Sequence, residues 1–78
     1  MPNLGRITFD PSILNGKACI RGMRISVSLI VNLVANGLSF DEILDEYPDL
    51  EMEDIQQALR YAALTTDDIV YIPAQISA

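Results

Sequence analysis

Apolar residues recur at helical intervals shortly before the middle of the chain. The stripe consists of Leu29, Ile30, Leu33 and Val34, at the i, i+1, i+4, i+5 spacing of one broad helical face. Ser26 or Ser28 can cap the start of this helix, because a side-chain hydroxyl accepts from the first free backbone N–H groups. Asn36 and Gly37 are typical of a left-handed helix end. The pattern predicts a first helix that ends at about Asn36.

Two further helices are predicted after a short break. Ser39 and Glu42 have the spacing of a capping box, which places a short second helix over about residues 40–46. Pro48 pushes Tyr47 out of the α region and forces a turn, and a third helix is predicted over about residues 52–65. The side chains expected to point inward are Phe40, Ile43 and Leu44 on the second helix and Met52, Ile55, Leu59 and Ala62 on the third.

The residues before the first helix show strand-like alternation instead of helical spacing. Residues 6–9 and 24–27 are predicted to be short strands, and Asn15-Gly16 and Arg21-Gly22 offer positive-φ positions for tight turns. The prediction is a mainly α fold in a single domain over residues 1–78. It comprises a basic β arm over 1–27, a three-helix helix-turn-helix bundle over 28–65 and a C-terminal tail over 66–78. Short helical hairpins also serve simply to build a core, so this pattern alone does not assign DNA binding.

Charge is divided unevenly between the two halves of the chain. Residues 1–39 carry four cations and one carboxylate (+3), and residues 40–78 carry one cation and ten carboxylates (−9), which gives the net charge of −6. Such asymmetry indicates charged partners, although a solvated surface of mixed charge is the alternative. Lys17, Arg21 and Arg24 lie beside the glycines of the arm, where they are expected to be exposed and able to neutralise nucleic-acid phosphates.

The third helix offers a second set of candidate nucleic-acid contacts. Gln56, Gln57 and Arg60 fall outside its apolar stripe and carry the donors that read adenine and guanine edges in the major groove. Its first turn is acidic, and carboxylates there would meet DNA phosphates unfavourably. The sequence therefore favours the arm over the third helix as the nucleic-acid contact. The opposing carboxylates, expected like the other adjacent acidic pairs to form a solvated face, are Glu51, Glu53 and Asp54.

Several chemistries have no residues to support them. The chain has no His and one Cys, which excludes Ser-His and Cys-His nucleophile pairs and leaves no thiolate cluster for a metal. We therefore expect no enzymatic activity, no cofactor and no metal. The single Cys19 suits a reducing compartment, which favours a cytoplasmic location. No apolar run approaches the roughly 20 residues of a membrane span.

The small size of the chain and its C-terminal tail both suggest association. A domain of 78 residues buries only about 60% of the surface of its unfolded chain, so a homo-oligomer or a hetero-complex is expected. The tail contains the apolar, β-prone run Ile69, Val70, Tyr71 and Ile72. This run is predicted to add to the sheet edge of a partner, and covering the N-terminal strands of its own domain is the alternative.

The motifs of residues 7–63 closely resemble those of the small bacterial family DUF433. The matching motifs, in order, are Asp10-Pro11, Gly16-Lys17, Ile20-Arg21-Gly22, Arg24-Ile25, Glu42-Ile43-Leu44 and Tyr47-Pro48-Asp49-Leu50. The chain departs from the usual sequence motif of the family at Ala18, where Pro is usual, and at Met23, where Thr is usual. It also departs at Glu51-Met52, where a Thr-Pro cap is common. Because Glu is a weaker N-cap than Thr, the third helix is expected to fray at its start.

The resemblance implies a homeodomain-like three-helix fold with an N-terminal β arm. It also implies the antitoxin role of a type II toxin–antitoxin pair, with a PIN-like ribonuclease toxin as partner and operator DNA as a further ligand. A protein-interaction or dimerisation module without DNA binding is the alternative.

Overall fold

The computed structural model describes residues 4–66, which form a mainly helical fold with a small two-stranded antiparallel sheet. The elements are β1 (Ile7–Thr8), β2 (Cys19–Ile20), α1 (Val27–Ala35), α2 (Phe40–Glu46) and α3 (Met52–Thr66). The three predicted helices are confirmed to within about two residues at each end.

The ends of α1 are fixed by the residues that predicted them. Ser26 is the N-cap, and its hydroxyl accepts a hydrogen bond from the Leu29 N–H at 3.0 Å. At the other end, the Leu38 N–H donates to the Leu33 carbonyl at 3.1 Å across Gly37, whose φ is +92°. This is the Schellman arrangement, which needs a residue that tolerates positive φ.

The predicted capping box of α2 is also present. The Ser39 hydroxyl accepts from the Glu42 N–H at 3.1 Å, while the Glu42 carboxylate accepts from the Ser39 N–H at 2.7 Å. Both bonds satisfy donors that the first turn of a helix leaves unpaired. This short helix is therefore fixed at its start by the sequence itself.

The second predicted strand, residues 24–27, is wrong. The strand that pairs with β1 is β2, in the register Ile7 to Ile20, and the predicted residues contribute only one isolated bridge, from Ser26 to Cys19. The turn that follows β2 has Arg21 and Gly22 at its centre, with φ values of 45° and 72°. Positive φ at both central residues is what a type I′ hairpin turn requires.

The core lies between α1 and α3 and is closed by α2 and the arm. Its buried apolar residues are Ile20, Val27, Ile30, Ile43, Leu50, Ile55 and Ala58. The predicted inward residues of α2 and α3 belong to this core or pack against it, with the exception of Met52, which is 40% exposed. Within residues 4–66, no helix has the length and apolar character needed to cross a membrane.

Candidate functional site

The most highly connected polar group of residues 4–66 is the carboxylate of Asp54, which is fully buried. Arg21 donates to both of its oxygens, from Nε at 3.0 Å and from Nη2 at 2.8 Å. Arg6 donates from Nη1 at 3.0 Å and also reaches the Glu51 carboxylate at 2.6 Å. Asp54 thus joins two cations of the arm to the first turn of α3, and we call this group the Asp54 cluster.

Asp54 also fixes the start of α3. Its Oδ2 accepts a hydrogen bond from the backbone N–H of Glu51 at 2.8 Å, which is half of a capping box with Asp54 at the third helical position. This bond holds the backbone of Glu51 directly before α3, which begins at Met52, and it satisfies a different N–H from those that a side-chain cap at Glu51 would bind.

The protonation of Asp54 is set by two opposed effects. Burial raises its pKa, but the hydrogen bonds from Arg21, from the Glu51 N–H and from Arg6 outweigh burial and lower the pKa from 3.8 to about 2. The pKa of Arg21 is raised, chiefly by its bond to Asp54, and that of Arg6 chiefly by its bond to Glu51. The carboxylate is therefore ionised at neutral pH.

Gln57 extends the attachment of the arm along α3. Its side-chain carbonyl accepts from the Arg6 backbone N–H at 2.9 Å, and its amide nitrogen donates to Glu53 at 3.1 Å. The residue is 1% exposed, so the expectation that it lies outside the buried face of α3 is wrong. The arm covers this side of the helix, and a Gln used in this way is not available to read a base.

The three candidate cations of the arm occupy different environments. Arg21 is held by Asp54 and by the Asp49 carbonyl at 2.8 Å. Lys17 and Arg24 are exposed, and neither takes part in any of the salt bridges formed within residues 4–66. The Cys19–Ser26 bridge places Lys17 at the open end of the hairpin and Arg24 near its turn. In the part of the arm that the structure describes, the unpaired positive charge is thus limited to two separated side chains.

The surroundings of Lys17 include a shallow pocket of about 330 Å³ at the start of α1. Lys17, Ala18, Val27 and Ser28 line it. On α3, Gln56 and Arg60 are exposed, and the Arg60 Nη1 lies 3.6 Å from a Glu53 carboxylate oxygen. Lys17, Arg24, Gln56 and Arg60 therefore remain accessible, whereas Gln57 does not. The predicted partner segment Ile69 to Ile72 lies outside the described residues.

An acidic surface follows from the absence of cations between Arg24 and Arg60. Five exposed carboxylates lie on α2 and the turn after it, and we call them the acidic face. Four of them make no salt bridge or side-chain hydrogen bond within residues 4–66, and the fifth, Glu42, is used in the capping box. The members of the acidic face are Asp41, Glu42, Asp45, Glu46 and Asp49.

Two residues of the Asp54 cluster have no signal in the sequence patterns. Adjacent carboxylates predict a solvated acidic pair at Asp54, and Arg6 contributes only to the charge count. The residues that meet at Asp54 lie 33 and 48 positions away in sequence, so no local spacing identifies them.

Across residues 4–66, no three His, Cys, Asp or Glu side chains are arranged to hold a metal ion.

Comparison with known proteins identifies a family that the chain matches. Residues 7–62 match the family described as "Protein of unknown function (DUF433)". The "Uncharacterized protein y4eO" of Sinorhizobium fredii is 38% identical over 56 residues, which are 72% of this chain and 25% of that protein. A solved DUF433 member protein from Anabaena variabilis has a TM-score of 0.74 and 32% identity, over 80% of this chain and 61% of that chain. The chain thus spans about a quarter of the first relative and three fifths of the second.

Replacing Asp54 with Asn is expected to lower the free energy of unfolding by about 1 to 3 kcal/mol, because it removes the charge that accepts hydrogen bonds from two partly exposed guanidinium groups. Urea unfolding followed by circular dichroism measures the change. Asp45→Asn, which removes an exposed carboxylate, is the matched control and should change stability by less than about 0.5 kcal/mol. Equal stability of the two variants would contradict a structural role for Asp54.

Acid is expected to destabilise the fold through the same carboxylate. Its folded pKa of about 2 lies below the ordinary 3.8, so its contribution is present above about pH 5 and disappears as the pH falls toward 2. That contribution is about 2 kcal/mol. Urea midpoints measured from pH 6 to pH 2 should fall less steeply in Asp54→Asn than in the native chain. Parallel curves would contradict the assignment.

Proposed function

The chain belongs to the DUF433 family, and we propose that it is a non-enzymatic antitoxin that binds and neutralises a PIN-like ribonuclease. The observation that carries the proposal is the acidic face, an exposed surface on which four of the five carboxylates have no partner within residues 4–66 and can meet a cationic protein. A protein-interaction module without a toxin is the alternative interpretation of the same surface.

We further propose that α2, the turn after it and α3 form a homeodomain-like helix-turn-helix unit. In such a unit, the N-terminal part of the second helix enters the major groove of DNA. Here α2 is acidic, and the exposed carboxylates at the start of α3 are those of Glu51 and Glu53, since Asp54 is buried and paired with Arg6 and Arg21. These charges oppose a phosphate backbone. The surface that would face DNA therefore suits a cationic protein better.

A ribonuclease supplies such a cationic surface. Proteins that bind RNA neutralise its phosphates with Lys and Arg along the path of the strand. The acidic face is complementary to a path of this kind, and complementary charge speeds association and excludes wrong partners. Neutralisation then follows from occupation of the RNA-binding surface. It requires no contact with the carboxylates that hold a catalytic metal.

Operator DNA is a second candidate ligand, and Lys17 and Arg24 are the observation that favours it. Both are exposed and lie on the arm, away from the carboxylates of α2 in sequence. Gln56 and Arg60 remain as candidate base contacts on α3. Arg21 is removed from the proposed phosphate contacts, because its guanidinium is bonded to Asp54.

Neutralising the acidic face is expected to weaken binding to a PIN-like ribonuclease by about tenfold or more, mainly through slower association, and to reduce the dependence of the rate on salt. Surface plasmon resonance at several salt concentrations, with an RNA-cleavage assay, measures both effects. The test variant combines Asp45→Asn, Glu46→Gln and Asp49→Asn.

The matched control makes the same change of net charge on the exposed side of α1. It combines Ser28→Lys, Asn32→Lys and Ala35→Lys, three exposed positions. This control should retain most of the affinity, because its charges lie outside the acidic face. An equal loss in both variants would show that net charge alone governs binding, and undiminished affinity of the test variant would exclude the acidic face.

Operator binding is expected to depend on the two free cations of the arm. Replacing Lys17 and Arg24 with Ala should weaken binding to all DNA sequences alike and lower the salt slope by up to about two, since each lost phosphate contact removes about 0.9. Fluorescence anisotropy at several salt concentrations measures the slope. Unchanged affinity and slope, with native helicity by circular dichroism, would exclude the arm as the phosphate contact.

A further inference from the structure

An apolar surface lies where the arm meets the C-terminal half of α3. Phe9, directly after β1, is 58% exposed, and Leu64 in the last turns of α3 is 55% exposed. The Phe9 ring lies against Tyr61, with 5.8 Å between the ring centroids, and Tyr61 and Leu64 are neighbours at the i, i+3 spacing of one helical face. We call Phe9, Tyr61 and Leu64 the apolar patch.

Phe9 and Leu64 are more than half exposed, and Tyr61 is half-buried. A contiguous exposed apolar patch is typical of a surface that another apolar group covers. The acidic face is not continuous with it in sequence, and a partner drawn to carboxylates would not be selected by aromatic rings. The occupant should instead bring apolar side chains.

The chain supplies such side chains a short distance away. The described residues end at Thr66, and twelve residues, 67 to 78, follow. Only Asp67 and Asp68 separate Thr66 from the run Ile69 to Ile72. At about 3.3 Å per extended residue, Ile69 can lie anywhere within about 10 Å of Thr66, and Leu64 and Tyr61 precede Thr66 by about 3 and 8 Å along the helix axis.

We propose that the apolar patch is the docking site of this chain's own residues Ile69 to Ile72. The segment is tethered to the helix that carries two of the three patch residues, so its local concentration at the patch exceeds that of any separate molecule. Aromatic and β-branched side chains on both sides allow the two surfaces to pack. The tail then completes the domain at its arm end, independently of the antitoxin role.

Nuclear Overhauser contacts in the full chain test the proposal directly. In a uniformly ¹³C-labelled sample, the ring protons of Phe9 and Tyr61 should show contacts to the methyl groups of Ile69, Val70 or Ile72. An isotope-filtered experiment on a mixture of labelled and unlabelled chains reports contacts between chains, and it should show none of these. Absence of the contacts from the uniform sample, or their presence in the filtered one, overturns the proposal.

A double-mutant cycle in the full chain supplies a second test. The patch variant Phe9→Ser, Leu64→Ser and the tail variant Ile69→Ser, Ile72→Ser should each lower Tm by about 5 °C or more. Combined, they should lower Tm little further, because each removes the same contact. Leu14→Ser removes an exposed leucine outside the patch and should add to the tail variant in full. Additive losses for patch and tail would overturn the proposal.

Discussion

The fold depends on one buried carboxylate. Asp54 joins the turn after β2, the residue before β1 and the start of α3, since it accepts from Arg21, from Arg6 and from the backbone of Glu51. Its negative charge is stable in a buried position because these donors replace the water it loses. The strands of the arm are only two residues long. The position of the arm on the helices therefore relies on this cluster, on Gln57 and on the burial of Ile20 in the core.

The features that the sequence predicted correctly are those whose signals are local. Ser39 and Glu42 stand three residues apart and bond to each other, and Asn36-Gly37 ends α1 through its own backbone conformation. Nothing local distinguishes Asp54 from the exposed carboxylates around it, because the guanidinium groups that bury it come from 33 and 48 residues away. The prediction for Gln57 is wrong for the same reason, since apolar periodicity does not report a polar face covered by another segment.

Folding changes which of the charged residues can bind a partner. Arg6 and Arg21 are paired with Asp54, where they stabilise the domain. Lys17 and Arg24 remain as the free cations of the described part of the arm. Most of the carboxylates of α2 keep no partner within the described residues. The basic arm is the more prominent charged feature of the sequence, but the folded domain presents its acidic face more strongly.

Carboxylates can therefore stabilise the fold at one position and remain available for binding at others. The buried Asp54 contributes about 2 kcal/mol to the fold, because its charge accepts hydrogen bonds from Arg6, Arg21 and the Glu51 N–H. The exposed carboxylates Asp45 and Asp49 interact with their surroundings through water, where a charge pair is worth about 1 kcal/mol or less. They contribute little to folding and stay available for a partner. Arg6 and Arg21 determine which carboxylate is structural, because both bond to Asp54. The carboxylates of Asp45 and Asp49 have no cationic partner within the described residues and remain available for recognition.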